Sequence, residues 1–300
     1  MPLKSIHMLL TYTCNFECDH CFLYCSPGSS GTFTIEQVEQ VLDQVNNVPS
    51  INSIGFEGGE AFLYYPLLVE SVRLCTRQGL STSIQTNNYW AGSARDAELW
   101  LKPLADAGLG LLEVSRDTFH HGEEPSETAE YVMSAAQNIG LATRDICINP
   151  PEVDMPVETG KGEPIYKGGP KLRGRAVEKL APGLPTQPED NFTQCPYEDL
   201  TDPGRVHLDA YGNVLLCQGL SMGSIWETPL PELLETYEPD QHPICGPLVK
   251  GGPVELARTY KISHENQSVD ACHFCSKTCL ALIDRFPDVL TPRQVYGLND

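Results

Sequence analysis

Apolar positions in the first half of the chain follow two alternating periods. Short apolar runs predict five strands, at residues 5–13, 51–56, 80–86, 109–115 and 142–149. Apolar residues at helical spacing predict helices between them, at residues 34–45, 66–78, 94–107 and 127–139. Repeated β-α units of this size predict an α/β fold with a parallel sheet and helices outside it. The strands are fewer than a full eight-fold barrel needs.

The pattern changes after residue 149. Residues 150–170 are rich in proline, glycine and charge, and residues 181–190 have the composition of a linker. Residues 206–217 alternate around a Tyr-Gly-Asn turn and predict a hairpin. We therefore predict a core domain at 1–180, a linker at 181–190 and a small cysteine-rich domain at 191–300.

Composition narrows the classes of function. The chain of 300 residues has a net charge of −20, with 40 acidic against 20 basic residues. Such a charge disfavours a nucleic-acid partner, because phosphate neutralisation supplies most of that affinity. The sequence has neither a signal-peptide pattern nor an apolar run long enough to span a membrane, so we expect a cytoplasmic protein with no membrane partner. In such a chain, the 12 cysteines favour metal binding or catalysis over disulfides.

Three cysteines follow the first predicted strand at C-x3-C-x2-C spacing: Cys14, Cys18 and Cys21. Iron–sulfur cubanes are normally held by four thiolates, so this set leaves one iron open to an outside molecule. An open position separates catalytic from structural metal sites. The loop after a strand's carboxyl end is also where βα barrels carry their catalytic groups. A structural zinc or ferredoxin-like knot is the alternative.

The segment C-x3-C-x-(aromatic)-C, with His20 in the aromatic position, resembles the radical SAM superfamily. The resemblance implies a partial (β/α)6 TIM-like barrel in which Cys14, Cys18 and Cys21 hold a [4Fe–4S] cluster. In that family S-adenosylmethionine (SAM) chelates the fourth iron, and its reductive cleavage yields a 5′-deoxyadenosyl radical that abstracts hydrogen from a substrate. His20 would stack near adenine. A competing triplet that ends at Cys25 is rejected because Cys14 provides the family spacing.

Three later segments resemble SAM-binding elements of the same family. FEGGEAF matches the GGE motif, whose paired glycines allow close backbone approach and whose carboxylate accepts from an ammonium group. QTNNYW resembles the TNG element, with Asn88 at a glycine position where asparagine tolerates left-handed φ. VSRDTFHH resembles an S-x-D segment that contacts the ribose and methionyl parts of SAM. The candidate SAM-binding residues in these segments are Gly58, Gly59, Glu60, Asn87, Ser115 and Asp117.

A basic stretch follows the core. LRGRAVEKL resembles the GRA-containing segment of SPASM-type enzymes, so Arg175 would pair with a carboxylate of SAM or substrate. The other basic residues of this stretch, Arg173 among them, are interpreted first as a solvated face. His120 is a candidate substrate contact or proton shuttle, and the histidines of its loop are otherwise solvated.

The second half of the chain carries a further cysteine set that resembles the SPASM/twitch domains. The resemblance implies one auxiliary [4Fe–4S] cluster, held by Cys195, Cys217, Cys272 and Cys275. Cys279 is a credible substitute because residues four apart on a helix share a face. Cys245 is a less certain ligand. A zinc site would satisfy the same thiolates.

We therefore expect a twitch-type radical SAM enzyme that acts on a peptide or peptide-derived substrate. The resemblance also implies an external reductant such as flavodoxin or ferredoxin. A dehydrogenase of a small alcohol or sugar derivative is an alternative. A peptide epimerase is another, and it would need a free thiol such as Cys245 or Cys147 as a hydrogen-atom donor. A non-catalytic iron–sulfur or zinc-binding electron carrier is the hypothesis from a different class.

Overall fold

A computed structural model describes residues 3–122, 126–154, 165–167, 169–263 and 266–298. The strands are β1 (Ser5–Thr11), β2 (Ser53–Gly58), β3 (Ser81–Thr86), β4 (Leu111–Ser115), β5 (Thr143–Ile146), β6 (Glu152–Asp154), β7 (Ile165–Lys167), β8 (Gln187–Pro188), β9 (Arg205–Asp209), β10 (Asn213–Cys217), β11 (Leu220–Ser224) and β12 (Gln267–Ser268). The α-helices are α1 (Ile35–Val45), α2 (Tyr65–Arg77), α3 (Ala94–Asp106), α4 (Thr118–His121), α5 (Glu127–Ile139), α6 (Arg175–Lys179), α7 (Leu230–Thr236), α8 (Cys245–Tyr260) and α9 (Ala271–Leu282). All five strands and four helices predicted for the first half are confirmed, with small shifts at their ends.

One large sheet organises the molecule. Among the described residues its eight strands run in the order β11-β10-β9-β1-β2-β3-β4-β5. Strands β1 to β5 pair in parallel, and β9 pairs in parallel with β1. The predicted partial barrel with six parallel strands is therefore confirmed. Its sixth parallel strand, β9, comes from the cysteine-rich part of the chain and not from the segment after β5.

Alternation along β1 explains how the sheet is covered. Ile6, Met8 and Leu10 are fully buried in the main core, which the helices on the outer face complete. Leu9 belongs to a separate cluster on the other face of the sheet, together with Tyr12 and Cys14. Successive side chains of a strand point to opposite faces, so the pattern is that of a strand buried on both sides.

Local signals in the sequence account for the ends of the outer helices. Thr34 caps α1 and forms a complete capping box with Gln37, as the sequence predicts. Helix α1 buries Val38, Val41 and Leu42 on one face. Helix α3 continues through Pro103, where the sequence predicts weakening or a kink.

The cysteine-rich part joins the same sheet. The predicted hairpin is confirmed: β9 and β10 are antiparallel, and Gly212 takes a φ of +85° in the turn. Strand β11 extends the sheet beyond β10. Because β9 pairs with β1, the segments on both sides of residues 181–190 share one sheet. The division of the chain into domains at that linker stays a prediction.

Among the described helices, none combines the length and the apolar character that crossing a lipid bilayer would require.

Candidate active site

The carboxyl ends of β1 to β5 surround one cavity. Its lining includes three thiols from the loop after β1, and we call Cys14, Cys18 and Cys21 the first cysteine site. The same cavity is lined by Gly58, Gly59, Glu60, Thr86, Asn87, Ser115, Asp117, His20 and His120. Parallel strands bring their carboxyl ends to one edge, and that topology unites segments far apart in the chain.

The thiols of the first cysteine site differ in their surroundings. The backbone N–H of Phe16 donates to Cys14 Sγ at 3.4 Å, and Asn87 Nδ2 lies 3.8 Å from the same sulfur. Burial raises the pKa of Cys14 and of Cys18 to about 12. A hydrogen bond from the Cys25 thiol lowers the pKa of Cys21 to about 6. Cys25 thus lies in the same wall as a fourth thiol.

The two glycines at the end of β2, Gly58 and Gly59, have a packing role in addition to the predicted one. A Cβ at Gly58 would collide with the carbonyl oxygen of Thr11, and one at Gly59 with that of Thr13. Gly59 N–H donates to Thr11 at 2.7 Å, and Glu60 N–H donates to Thr13 at 3.0 Å. The missing side chains therefore let this loop lie directly on the backbone after β1. The glycines also line the cavity, so close approach to a ligand remains compatible with them.

Glu60 is held rigidly at the cavity wall. It is 1% exposed, and its Oε1 accepts from Phe62 N–H and Thr86 Oγ1, both at 3.0 Å. Its Oε2 accepts from Asn87 N–H at 2.8 Å. Burial raises the pKa of this carboxyl to about 7. A carboxylate has about four lone-pair sites, so these three donors leave capacity for one more.

The turn after β3 links the neighbouring strand ends. Asn88 takes a φ of +65°, which confirms the expectation that asparagine replaces glycine there at a left-handed position. Its Nδ2 donates to the carbonyl of Ser115 at 2.7 Å. Asn87 Nδ2 donates to Asn15 Oδ1 at 2.9 Å, so the amide joins the cysteine loop to this turn.

Two histidines and an aspartate form the opposite wall. Asp117 Oδ1 lies 2.7 Å from His120 Nδ1, while Asp117 Oδ2 is buried without a hydrogen-bond partner among the described residues. His20 stacks on Phe119 at 4.6 Å between ring centroids and lies 5.0 Å from the His120 ring. Burial and the neighbouring His120 lower the pKa of His20 to about 4. His20 is thus a neutral ring facing the same cavity as the cysteines.

Arg175 does not reach this cavity. Its guanidinium donates to the carbonyls of Cys18 at 3.0 Å, Tyr24 at 3.3 Å and Cys25 at 2.7 Å, and it lies over the Tyr24 ring. The prediction that Arg175 pairs with a carboxylate of SAM or substrate therefore has no support in this geometry. Its donors are taken by backbone oxygens, which the sequence cannot reveal. Arg175 is a positioning residue that holds the cysteine loop.

The two candidate hydrogen-atom donors lie away from the cavity. Ile146 and Ile148 face the cavity, so the alternation of an extended chain turns Cys147 outward, where its side chain is exposed. Cys245 begins α8, is fully buried and lies near Tyr237, and burial raises its pKa to about 12. Neither thiol lines the cavity of the first cysteine site.

A second cavity collects the other predicted ligands. Cys195, Cys217, Cys272 and Cys275 line it together, and we call them the second cysteine site. Cys279 Sγ lies 3.9 Å from Cys275 Sγ, as the four-residue spacing on α9 predicts. The structure therefore brings the predicted set together and leaves Cys279 as a substitute.

Arg173 is the residue that sequence reasoning missed. It is 3% exposed, lines the second cavity, and its Nη1 lies 3.9 Å from Cys275 Sγ. Burial alone would lower the pKa of Arg173, but the surrounding thiols raise it overall. The interpretation as a solvated face is wrong for this residue. The only sequence feature that could have indicated a buried role for Arg173 is its position two residues before Arg175, in the segment that resembles the GRA motif.

The parallel α/β sheet carries three loop thiols and a glycine–carboxylate segment at its carboxyl edge, which is where βα-barrel enzymes carry their catalytic groups. Residues 8–149, just under half of the chain, match the family model described as the Radical SAM superfamily. Members of that superfamily are enzymes that use a [4Fe–4S] cluster and SAM.

Two curated relatives and one solved structure make the comparison more specific. The putative peptide biosynthesis protein YydG of Bacillus subtilis (strain 168) is 26% identical over 117 residues, or 39% of this chain and 37% of YydG. A probable GTP 3′,8-cyclase of Saccharolobus solfataricus is 33% identical over 118 residues, or 39% of this chain and 38% of the cyclase. The chain thus spans less than two fifths of the length of these relatives. The structure of anSMEcpe with bound AdoMet and Cp18Cys peptide is 16% identical, covers 95% of this chain and 98% of its own, and has a TM-score of 0.51, which supports the shared fold.

Proposed function

We propose that this protein cleaves SAM reductively and uses the resulting 5′-deoxyadenosyl radical to modify a peptide or peptide-derived substrate. The observation that carries the proposal is the convergence of Cys14, Cys18 and Cys21 with Glu60 and the other GGE and TNN residues on one cavity. When bound, the cluster and SAM supply a one-electron cleavage that yields a hydrogen-abstracting radical.

The residues present fit such a cofactor pair. The first cysteine site offers three thiols in one wall, with N–H donors directed at two of the sulfurs. Hydrogen bonds to sulfur are one of the means by which proteins tune iron–sulfur sites. Glu60 has room to accept from one further donor, and an ammonium group is suited to a buried carboxylate. Glu60 would therefore hold the amino end of SAM.

The other wall residues would orient the ligand and exclude water. Asn87 ties the turn after β3 to the cysteine loop through Asn15. His20 and Phe119 present a stacked aromatic pair beside the thiols, which suits a purine ring. Asp117 holds the His120 ring through Nδ1, so His120 can hold or move a proton at Nε2 for a substrate in this cavity.

The second cysteine site fits an auxiliary [4Fe–4S] cluster with the ligands Cys195, Cys217, Cys272 and Cys275. Arg173 would offset part of the negative charge of those thiolates. This cluster would accept an electron from the substrate or bind the substrate directly. A zinc ion held by the same thiolates remains the alternative. We further propose a cytoplasmic setting, with flavodoxin or ferredoxin as the external reductant.

The name of YydG supports a peptide substrate, and the name of the GTP 3′,8-cyclase supports a small-molecule one. We favour the peptide because the fold also spans nearly the whole of a peptide-bound enzyme. Neither Cys147 nor Cys245 lines the cavity, which argues against an epimerase that would use them.

The decisive experiment is anaerobic reconstitution with iron and sulfide, followed by reduction in the presence of SAM. We expect 5′-deoxyadenosine by mass spectrometry, and faster formation with a cognate peptide than with nucleotides or sugars. A fully iron-loaded protein that forms no 5′-deoxyadenosine would instead support the electron-carrier hypothesis. If only a nucleotide or sugar accelerates 5′-deoxyadenosine formation, the substrate is a small molecule and not a peptide.

A further inference from the structure

Three ligand-type side chains meet on neighbouring strands deeper in the barrel than the cysteines. His7 on β1 pairs in register with His207 on β9, and Glu57 lies on β2, on the other side of β1. Gly55 on β2 is in register with His7, and a Cβ there would lie 3.4 Å from His7 Cγ. The His7 ring therefore lies next to Gly55, and Glu57 reaches both imidazoles.

The distances among these groups match a shared metal ion. Glu57 Oε1 lies 3.3 Å from His7 Nδ1 and 2.9 Å from His207 Nε2. The ligand atoms of all three residues lie within 4.8 Å of one another. Ligands bound to zinc at about 2.0 to 2.2 Å are separated by about 2.9 to 3.5 Å in tetrahedral or octahedral geometry. The two measured separations fall in that interval.

Ion pairing without a metal is the competing explanation, and one observation speaks against it. Glu57 Oε1 is buried and receives no hydrogen bond of acceptable geometry, although both imidazole nitrogens are close to it. A buried carboxylate oxygen is normally hydrogen-bonded or bound to a metal.

We propose that His7, Glu57 and His207 form a binding site for a divalent transition-metal ion inside the barrel. Two histidines and one carboxylate suit Zn²⁺ or Fe²⁺ and leave coordination positions open. Glu57 also lines the cavity of the first cysteine site, whereas neither His7 nor His207 does, so the ion would lie at the edge of the space where a substrate would lie. The ion would hold an oxygen donor of that substrate. This site stands independently of the proposed SAM chemistry.

The test uses the reconstituted holoenzyme, in which iron and sulfide already occupy the cluster cysteines, and Zn²⁺ alone as the probe. We expect one additional zinc per chain after desalting. Its X-ray absorption should show nitrogen and oxygen ligands at about 2.0 to 2.2 Å, without the sulfur ligands at about 2.3 Å that cysteine binding would give. His207→Asn and Glu57→Gln should each lower zinc affinity by more than about 100-fold.

A second histidine–aspartate group supplies the matched control. His20, Asp117 and His120 also place their ligand atoms within 4.8 Å of one another, so His120→Asn is the same chemical change at a rival site. Zinc should stay bound in His120→Asn. Iron content and circular dichroism report whether each variant is folded, and Glu57→Gln preserves side-chain size. Four outcomes would each overturn the proposal. The wild-type protein could fail to bind zinc, or could bind it through sulfur ligands. Zinc could also stay bound in both His207→Asn and Glu57→Gln, or be lost in His120→Asn.

Discussion

The two cysteine sites are built from different kinds of segment. The first cysteine site lies in one loop at the sheet edge, and its cavity is shared with polar and charged side chains from the ends of β2, β3 and β4. The second cysteine site draws its thiols from β10, α9 and a loop, and apolar side chains such as Leu200, Leu220 and Leu248 line its cavity together with three charged ones. The first arrangement admits a polar ligand beside the thiols, while the second encloses whatever the thiols hold.

The charged side chains that line the two cavities differ: Glu57, Glu60 and Asp117 line the first, whereas Lys171 and Arg173 line the second together with Glu198. Glu60 adds to the rise in the pKa of Cys14, and Asp117 adds to that of Cys18. At the second site Arg173 works against the rise in the pKa of Cys217 and of Cys272. A site surrounded by carboxylates favours a positively charged ligand, and SAM is a sulfonium with an ammonium group. A site with a buried arginine instead stabilises the charge of its own thiolates.

The largest expected effect distinguishes Cys14 from Cys25 as a ligand of the first cysteine site. Cys14→Ala should abolish reductive cleavage of SAM and remove the iron of this site, because two thiols do not hold a cluster with one open position. The measurements are iron content and 5′-deoxyadenosine formation in reconstituted protein. Cys25→Ala is the matched control in the same wall and should retain both. The reverse result would assign the site to Cys18, Cys21 and Cys25.

The next effect tests whether the two sites are separate. Cys272→Ala should remove about four irons per chain from the second cysteine site. Formation of 5′-deoxyadenosine without substrate should stay close to the wild-type rate, because the first site shares no thiol with the second. Cys147→Ala, at an exposed thiol outside both cavities, should change neither quantity. Loss of all iron in Cys272→Ala would mean that the sites assemble together.

Backbone packing under the first site is tested by Gly59→Ala. The added methyl would collide with the carbonyl oxygen of Thr13, so we expect a loss of about 2 to 3 kcal/mol in the free energy of unfolding. Gly28→Ala is the control, since its Cβ would lie 3.8 Å from the nearest atom. Denaturant titration of both variants measures the difference. Equal stability would show that the loop after β2 shifts at little cost.

The smallest effect concerns the charge of Glu60. With a pKa of about 7, its ionised fraction rises from about one tenth at pH 6 to about nine tenths at pH 8. We expect SAM affinity, measured by calorimetry, to rise about fourfold over this range, because an ammonium group prefers the ionised carboxyl while the amino group of SAM, with an α-amino pKa of about 7.7 to 8.0, loses part of its own charge by pH 8. Because the pKa of Glu60 lies above the usual glutamate value of about 4.3, ionisation lowers folding stability as pH rises from there through 7.

Glu60→Gln should remove this pH dependence of SAM binding. Glu39→Gln, at an exposed position on α1, should preserve it. A wild-type affinity that is flat between pH 6 and pH 8 would contradict the assignment of Glu60 to the amino end of SAM.

Features set by local spacing could be predicted from the sequence. The helices around the sheet follow from apolar periodicity, and the capping box at Thr34 needs only the side chain three residues on. The thiols of the first cysteine site lie within eight residues, so their convergence after β1 needed no knowledge of the remaining fold. The left-handed turn at Asn88 likewise depends on one residue type.

Features that depend on distant packing could not be predicted. An alternating strand has two faces, and the order of residues around Cys147 does not say which one meets the cavity. The acceptors of Arg175 are backbone carbonyls, which every residue carries. The burial of Arg173 and the meeting of His7 with His207 depend on how the second half of the chain packs against the first.

The pairing of β1 with β9 has a consequence for biosynthesis. Ser5 is made 200 residues before its partner Arg205. Until then one edge of the earliest strand carries unpaired backbone groups, and such edges recruit other strands. Nascent chains stalled before residue 205 should therefore depend on chaperones, because β1 has no β9 to pair with until that segment has been made.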